Sequence, residues 1–250
     1  MRGLTFRLSG KTAFFKKPDA NTFAYFTYNN IHKVALLGIL GAIVGLKGYN
    51  QMKSDDEGIY PQYPEFYEKL RGLEISIAPL SSRGYFSKKI QVFNNSVGYA
   101  SEESGGNLIV REQWLEEPKW EVFLLENNAI DPKIYKMLED YILNGKSEYL
   151  PYLGKNDHIA KIDNTKIIEL NKNEHPTYIN SLFPLDEVKL DDELTFDDNN
   201  PFLIKEMLPV ALNEKYNFYE LRELVFTNLE VQYSGGQNVY EYEGKNLYFI

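Results

Sequence analysis

Apolar and polar positions alternate with period two along Leu4-Thr5-Phe6-Arg7-Leu8, as in a strand with one buried face, and Ser9-Gly10 ends it. From Val34 to Leu46 the polar positions vanish and three glycines appear, Gly38, Gly41 and Gly45. This run predicts a buried helix. Each internal Gly costs such a helix about 0.8–1 kcal/mol relative to Ala, so the three need a packing or functional reason. At roughly 100° per residue they fall within about 60° of one another, with Ala35 and Ala42 beside them, while Leu36, Ile39, Leu40, Ile43 and Leu46 fall opposite. One face offers large side chains to a core; the other is bared so that a second backbone can approach closely.

Further along, Tyr60-Pro61-Gln62-Tyr63-Pro64 marks a loop before a short helix at Glu65–Leu70, and residues 73–80 read as a strand. Residues 81–107 are long for a connection, and the alternation at 90–92 predicts a projecting hairpin with a basic tip carrying Arg83, Lys88 and Lys89. Strands are expected at 108–110 and 120–125 around a loop at 113–119. Asp131-Pro132 opens a helix through Leu143 that Asn144-Gly145 stops, and a last strand falls within 158–170. Strand, helix, strand, strand, helix, strand is the split βαβ order of ferredoxin-like and RNA-recognition folds, an α+β class. After Asn171 the chain turns acidic, then Tyr- and Phe-rich with strand-like pieces, so a small C-terminal β subdomain is expected over 172–250, beside a core over 1–171.

Composition narrows the function classes. The glycine-bearing run is shorter than the roughly 20 residues of a membrane span and is flanked by Lys33 and Lys47, so no membrane partner is expected. It also begins too far from the start for a signal peptide. Hydrophobic residues at 43% and aromatics at 14% exclude a disordered chain. With no cysteine, thiolate metal sites and disulfides are excluded, which fits a reducing cytoplasm, and His32, His158 and His175 lack metal-ligand spacing. The acidic positions between 186 and 198 lack the sixth-position Gly and twelfth-position Glu of a calcium loop and read as a solvated or partner-facing surface. No cofactor is expected.

Charge is distributed unevenly. The net charge is −9, but residues 1–53 hold eight Lys/Arg against one acid, Asp19, a net of +7 that leaves −16 for the remainder. Such asymmetry suggests an N-terminal part facing a polyanion, with a solvated charge run as the alternative. Residues 11–30 interleave Lys11, Lys16 and Lys17 with Phe14, Phe15, Phe23, Tyr25, Phe26 and Tyr28, the pairing of cations and stacking rings that single-stranded nucleic acid requires. Rings are also core material, and Phe23 and Phe26 are assigned to the core, Lys16, Lys17 and Tyr28 to binding. Asn29-Asn30 can cap the following helix and present its first N–H groups to an anion, with His32 and Lys33 at the same end.

The order of these stretches carries a resemblance. Phe6-Arg7-Leu8-Ser9-Gly10-Lys11-Thr12-Ala13-Phe14-Phe15-Lys16-Lys17, then Tyr28-Asn29-Asn30 into the glycine-striped helix, resembles the start of the Cas-five proteins of type I CRISPR systems, most closely their type I-B branch. Arg111-Glu112-Gln113-Trp114-Leu115-Glu116-Glu117-Pro118 and Tyr149-Leu150-Pro151-Tyr152-Leu153-Gly154-Lys155-Asn156-Asp157-His158 are similar to that family's mid-chain strand entry and Leu-Gly-Lys turn. The resemblance implies an RNA-recognition-like (RAMP) core with a thumb at 81–107, bound to the 5′ handle of a CRISPR RNA within a Cascade complex, beside the Cas-seven backbone and the Cas-eight large subunit. The expected RNA-contacting set is Lys11, Lys16, Lys17, Tyr28, Asn29, His32, Lys33, Gly41, Gly45, Arg83, Lys88, Lys89 and Lys155. Two other classes stand beside it. One is a metal-independent endoribonuclease, as in type I-C relatives, with Tyr28, His32 and Lys33 as acid–base groups. The other is an interaction protein that binds no RNA.

Overall fold

The computed structural model describes residues 1–19, 23–54, 56–94, 98, 102–104, 106–190, 200–233 and 238–250. In chain order the elements are β1 (Arg2–Ser9), β2 (Thr12–Ala13), α1 (Lys33–Ile43), α2 (Glu65–Leu70), β3 (Ile75–Pro79), β4 (Lys88–Asn94), β5 (Ile109–Glu116), β6 (Lys119–Leu125), α3 (Pro132–Leu143) and β7 (Lys161–Glu169). There follow β8 (Asn171–Lys172), β9 (Phe183–Pro184), β10 (Lys189–Leu190), β11 (Leu203–Leu212), β12 (Tyr219–Thr227), β13 (Val231–Gln232), β14 (Val239–Tyr242) and β15 (Lys245–Tyr248).

Four strands form the central sheet in the order β3-β6-β1-β7, antiparallel throughout. With α1 between β1 and β3 and α3 between β6 and β7, this is the ferredoxin-like α+β arrangement that the element order predicts. The two helices pack on one face. Leu4, Phe6 and Leu8 of β1 and Trp120, Val122 and Leu124 of β6 meet Leu36, Leu37 and Leu40 of α1 and Leu138 and Ile142 of α3 in one cluster, all but Ile142 with no exposed surface. The period of two sends Phe123 and Leu125 to the opposite face, where Leu247 and Phe249 cover them. A strand buried on both faces has no alternation to show, which is why residues 120–125 are apolar almost without a break.

The C-terminal residues complete this core. Leu208, Leu212 and Leu224 join the helix-side cluster, β14 and β15 cap the second face, and Ile250 exchanges two backbone hydrogen bonds with Ile75 at the edge of the sheet. Residues after Asn171 thus contribute to the core of the first part, and they also gather a cluster of their own around Phe183, Val188, Val225 and Val239. Arg222 pairs with Asp186 at 2.9 Å and with Glu187, so these two acids of the acidic stretch serve internal structure; residues 191–199 lie outside the described residues.

The hairpin is real but shifted. Its arms are β4 and β5, paired from Lys88 opposite Leu115 to Asn94 opposite Ile109, so the second arm lies at 109–116 and takes in much of the expected loop at 113–119. β2 extends this ribbon on the other side of β5. No residue of β4 is buried, as expected of a projecting ribbon. At Glu117, with φ of 47°, and Pro118 the chain leaves the ribbon and enters the central sheet as β6. Among the described residues no helix is long and apolar enough to cross a membrane.

Candidate nucleic-acid interface

Between the ribbon and α1 lies an open groove of about 1370 Å³. One wall is the face of α1 that carries Ala35, Gly38 and Ala42, joined by Ile39, which was expected opposite; the other is the ribbon, with Val110 and Glu112, and beside it Lys16 and Tyr25. Lys155 from the turn before β7 lines it too. The bared face predicted for the helix thus opens onto this groove, but not through all of its glycines. A Cβ on Gly41 would stand 2.5 Å from the Cβ of Phe66 in α2, and one on Gly45, where φ is +77°, would stand 3.0 Å from the Glu148 side chain. Gly41 and Gly45 are explained by internal packing, a correction to their expected RNA contact. Gly38, whose added Cβ would find only Phe66 Cε2 at 3.9 Å, is the open one.

The first turn of α1 is also built differently from the expectation. His32, not Asn29 or Asn30, caps the helix: its Nδ1 accepts from the Ala35 N–H at 3.2 Å. The ring is 3% exposed and held edge-on by Phe15, Tyr28 and Tyr219, and burial pushes its pKa down to about 3. Tyr28 is equally buried, its pKa pushed up to about 12 chiefly by desolvation. Lys33 Nζ donates to the Ile250 carbonyl at 3.0 Å, and desolvation lowers its pKa. The Asn29 N–H donates to both oxygens of Glu206, at 3.0 and 2.9 Å, and its Nδ2 to the Gly84 carbonyl. Lys17 Nζ reaches Glu206 at 3.1 Å. A carboxylate of β11 thus takes up the Asn29 N–H and Lys17, two groups expected to face RNA. Tyr28 and His32 are buried, with His32 as the helix cap at the groove's edge, while Asn29 and the half-buried Lys33 are engaged by Glu206 and by the Ile250 carbonyl.

Two rings assigned to the core are on the surface instead. Phe23 is 66% and Phe26 40% exposed, while Ala24 between them is buried. The reason is a strand-like register: Tyr25 N–H donates to the Arg111 carbonyl and the Gln113 N–H to the Tyr25 carbonyl, so residues 23–27 run alongside β5 and Phe23 and Tyr25 share a side. Cations sit over both rings, Lys16 Nζ 4.0 Å from the Tyr25 centroid and the Arg111 guanidinium 5.2 Å from that of Phe23. The interleaving of rings and cations holds, with Arg111 added and Tyr28 removed. The buried-small, exposed-large alternation at Phe23-Ala24-Tyr25 was the available signal.

Of the other expected residues, Lys11, Lys16 and Arg83 are exposed and make no ion pair with a described residue. Lys88 is exposed on β4, and Lys89 lies 4.0 Å from Glu116 and over the Trp114 ring. Lys155 is held most firmly: Gly154, with φ of +91°, seats the turn against the Phe14 carbonyl where no Cβ would fit, and Lys155 Nζ then donates to both oxygens of Glu112 at 3.0 Å. The hairpin tip at 95–97, 99–101 and 105 lies outside the described residues.

No family model matches this sequence, and no curated protein matches it. Solved structures do. A chain of a structure described as a CRISPR RNA-guided surveillance complex superimposes with a TM-score of 0.53 at 12% identity, over 91% of this chain and 90% of its own length. A CRISPR protein from Archaeoglobus fulgidus superimposes with a TM-score of 0.50 at 15% identity, over 99% of this chain and 98% of its own. At such identities the likeness is one of fold, and it runs nearly end to end: this chain has the fold of these CRISPR proteins.

Proposed function

We propose that this chain is a non-catalytic, RNA-holding subunit of a CRISPR effector complex, and specifically a Cas-five subunit of a type I-B Cascade. In that role it caps the 5′ handle of the CRISPR RNA and bridges the Cas-seven backbone to the Cas-eight large subunit in antiviral defence. The observation that carries the reading is the open groove beside a projecting ribbon, edged by exposed rings with cations stacked on them, in a fold shared with a protein described as part of an RNA-guided surveillance complex. Rings accept any base by stacking and cations follow the backbone, which is the chemistry of single-stranded nucleic acid. Burial of His32 and Tyr28 favours holding over cutting.

The test is fluorescence anisotropy of the purified chain with a labelled 5′-handle RNA, over a salt series, with a precursor-RNA cleavage assay and pull-down with Cas-seven and Cas-eight beside it. Binding that weakens with salt, intact precursor and capture of both subunits are expected. Absence of RNA binding, or cleavage that His32→Ala abolishes, overturns the reading.

A further inference from the structure

Glu112 is an expensive residue for its place. It is 6% exposed, yet it lines the groove. A carboxylate taken out of water needs charge and hydrogen-bond partners to offset its lost hydration, and the structure supplies them. Lys155 Nζ donates to both of its oxygens at 3.0 Å, and Trp114 Nε1 donates to Oε2 at 2.8 Å. Trp114 is itself fixed by the perpendicular ring of His158, 4.6 Å away, whose Nδ1 lies 2.7 Å from the Thr12 hydroxyl. The carboxylate is therefore immobile and aimed. A carboxylate has about four acceptor sites, and Oε1 has only the one partner among the described residues. Directly beside it is Tyr25, joined to Glu112 by a parallel bridge, so their side chains share a side at the spacing of neighbouring strands, about 4.8 Å. Tyr25 also lines the groove, is 38% exposed and carries Lys16 over its ring. A stacking ring, a neighbouring cation and an oriented acceptor in one wall are the parts of a site that reads one base.

We propose that Tyr25 and Glu112 form a nucleobase-reading subsite of the groove, in which an RNA base stacks on Tyr25 and donates its exocyclic amino group to Glu112. Lys16 accompanies the adjoining phosphate, and Lys155 holds the carboxylate in place. The subsite prefers a base that carries an exocyclic amino group, adenine, cytosine or guanine, over uracil, whose one N–H donor is flanked by two carbonyl acceptors that a carboxylate repels. This rests on the RNA-holding reading above and adds to it a base preference and the residue that sets it.

Three ten-nucleotide RNAs of adenylate, cytidylate and uridylate, titrated against the full chain by anisotropy, test the inference. The wild-type chain is expected to bind the first two at least fivefold more tightly than the third. Glu112→Gln reduces that ratio below twofold, while Tyr25→Leu weakens all three by about tenfold. Thermal midpoints of both variants, measured alongside, exclude unfolding as the cause; should Glu112→Gln unfold, Lys155→Gln, which frees the same carboxylate from its anchor, is expected to narrow the ratio likewise. Equal binding of the three RNAs by the wild-type chain, or a ratio that both variants leave unchanged, overturns the base-reading subsite and leaves RNA holding intact. Failure to bind any of the RNAs overturns both.

Discussion

His32 shows how one residue's surroundings decide what it can do. As a ring beside a helix start and a lysine it resembles a catalytic group in sequence, but it is a buried helix cap, its pKa held at about 3 by desolvation against an ordinary value near 6.5. The folded chain thus keeps the ring neutral in a range where the unfolded chain binds a proton. The stability this provides is complete above about pH 6.5 and is lost as pH falls from there toward 3, by up to about 1.4 kcal/mol per unit. His32→Asn preserves a capping side chain but does not titrate. Denaturant unfolding at pH 7.5 and pH 5 is expected to show the wild-type chain losing about 1–2 kcal/mol more than the variant between the two. Equal losses would mean that the ring is protonated in the folded chain and open to water.

At the scale of elements, α1 separates two reasons for a bare helix face. Gly41 is bare because α2 crosses it: a methyl there would collide with the Cβ of Phe66, which cannot move without its backbone. Overpacking of this kind costs about 1–3 kcal/mol, against a gain of up to about 1 kcal/mol in helix propensity, so Gly41→Ala is expected to be destabilising by about 1 kcal/mol. Gly38 faces the groove, and Gly38→Ala is expected to be stabilising by about 0.8–1 kcal/mol for lack of any collision. Urea midpoints of the two variants check the pair; shifts of the same sign would contradict the division. The central sheet and its helices were legible in sequence because period and caps are local: Asp131 caps α3 and accepts from Lys133 N–H, as Asp131-Pro132 implied. β11, the longest strand, was not foreseen. Its residues 203–212 mix lysine, glutamate and proline with leucine, because one side serves the core through Leu208 and Leu212 while the other presents Lys205 and Met207 to solvent. The position of Glu206 beneath Asn29, 177 residues away, is fixed by tertiary pairing that no local pattern carries. For the same reason Phe23 and Tyr28 exchanged their expected places: which ring turns outward depends on pairing with β5, not on the rings.

For the whole molecule the same non-local pairing reshapes the charge. The net +7 of residues 1–53 is a property of the sequence more than of the surface, because acids from later in the chain fold back onto it. Arg2 meets Glu126 and Glu139, Arg7 meets Asp163 at 2.5 Å, Lys17 meets Glu206, and Lys33 is spent on a backbone carbonyl. What remains for a polyanion along the groove wall is Lys16, with Arg111 on the same ribbon and Lys155 already shared with Glu112. An RNA held there would be gripped by stacking more than by charge. Each phosphate neutralised on a single strand contributes about −0.7 to the slope of log affinity against log salt, so about three cations give a slope near −2. Lys16→Ala is expected to make that slope shallower by about 0.7. Arg7→Ala, which removes an exposed ion pair worth at most about 1 kcal/mol, is expected to leave both slope and affinity unchanged. A slope of −5 or steeper, with Arg7 and Lys17 variants each reducing it, would show that these ion pairs open to take phosphate and that the N-terminal charge of the sequence acts as a whole after all.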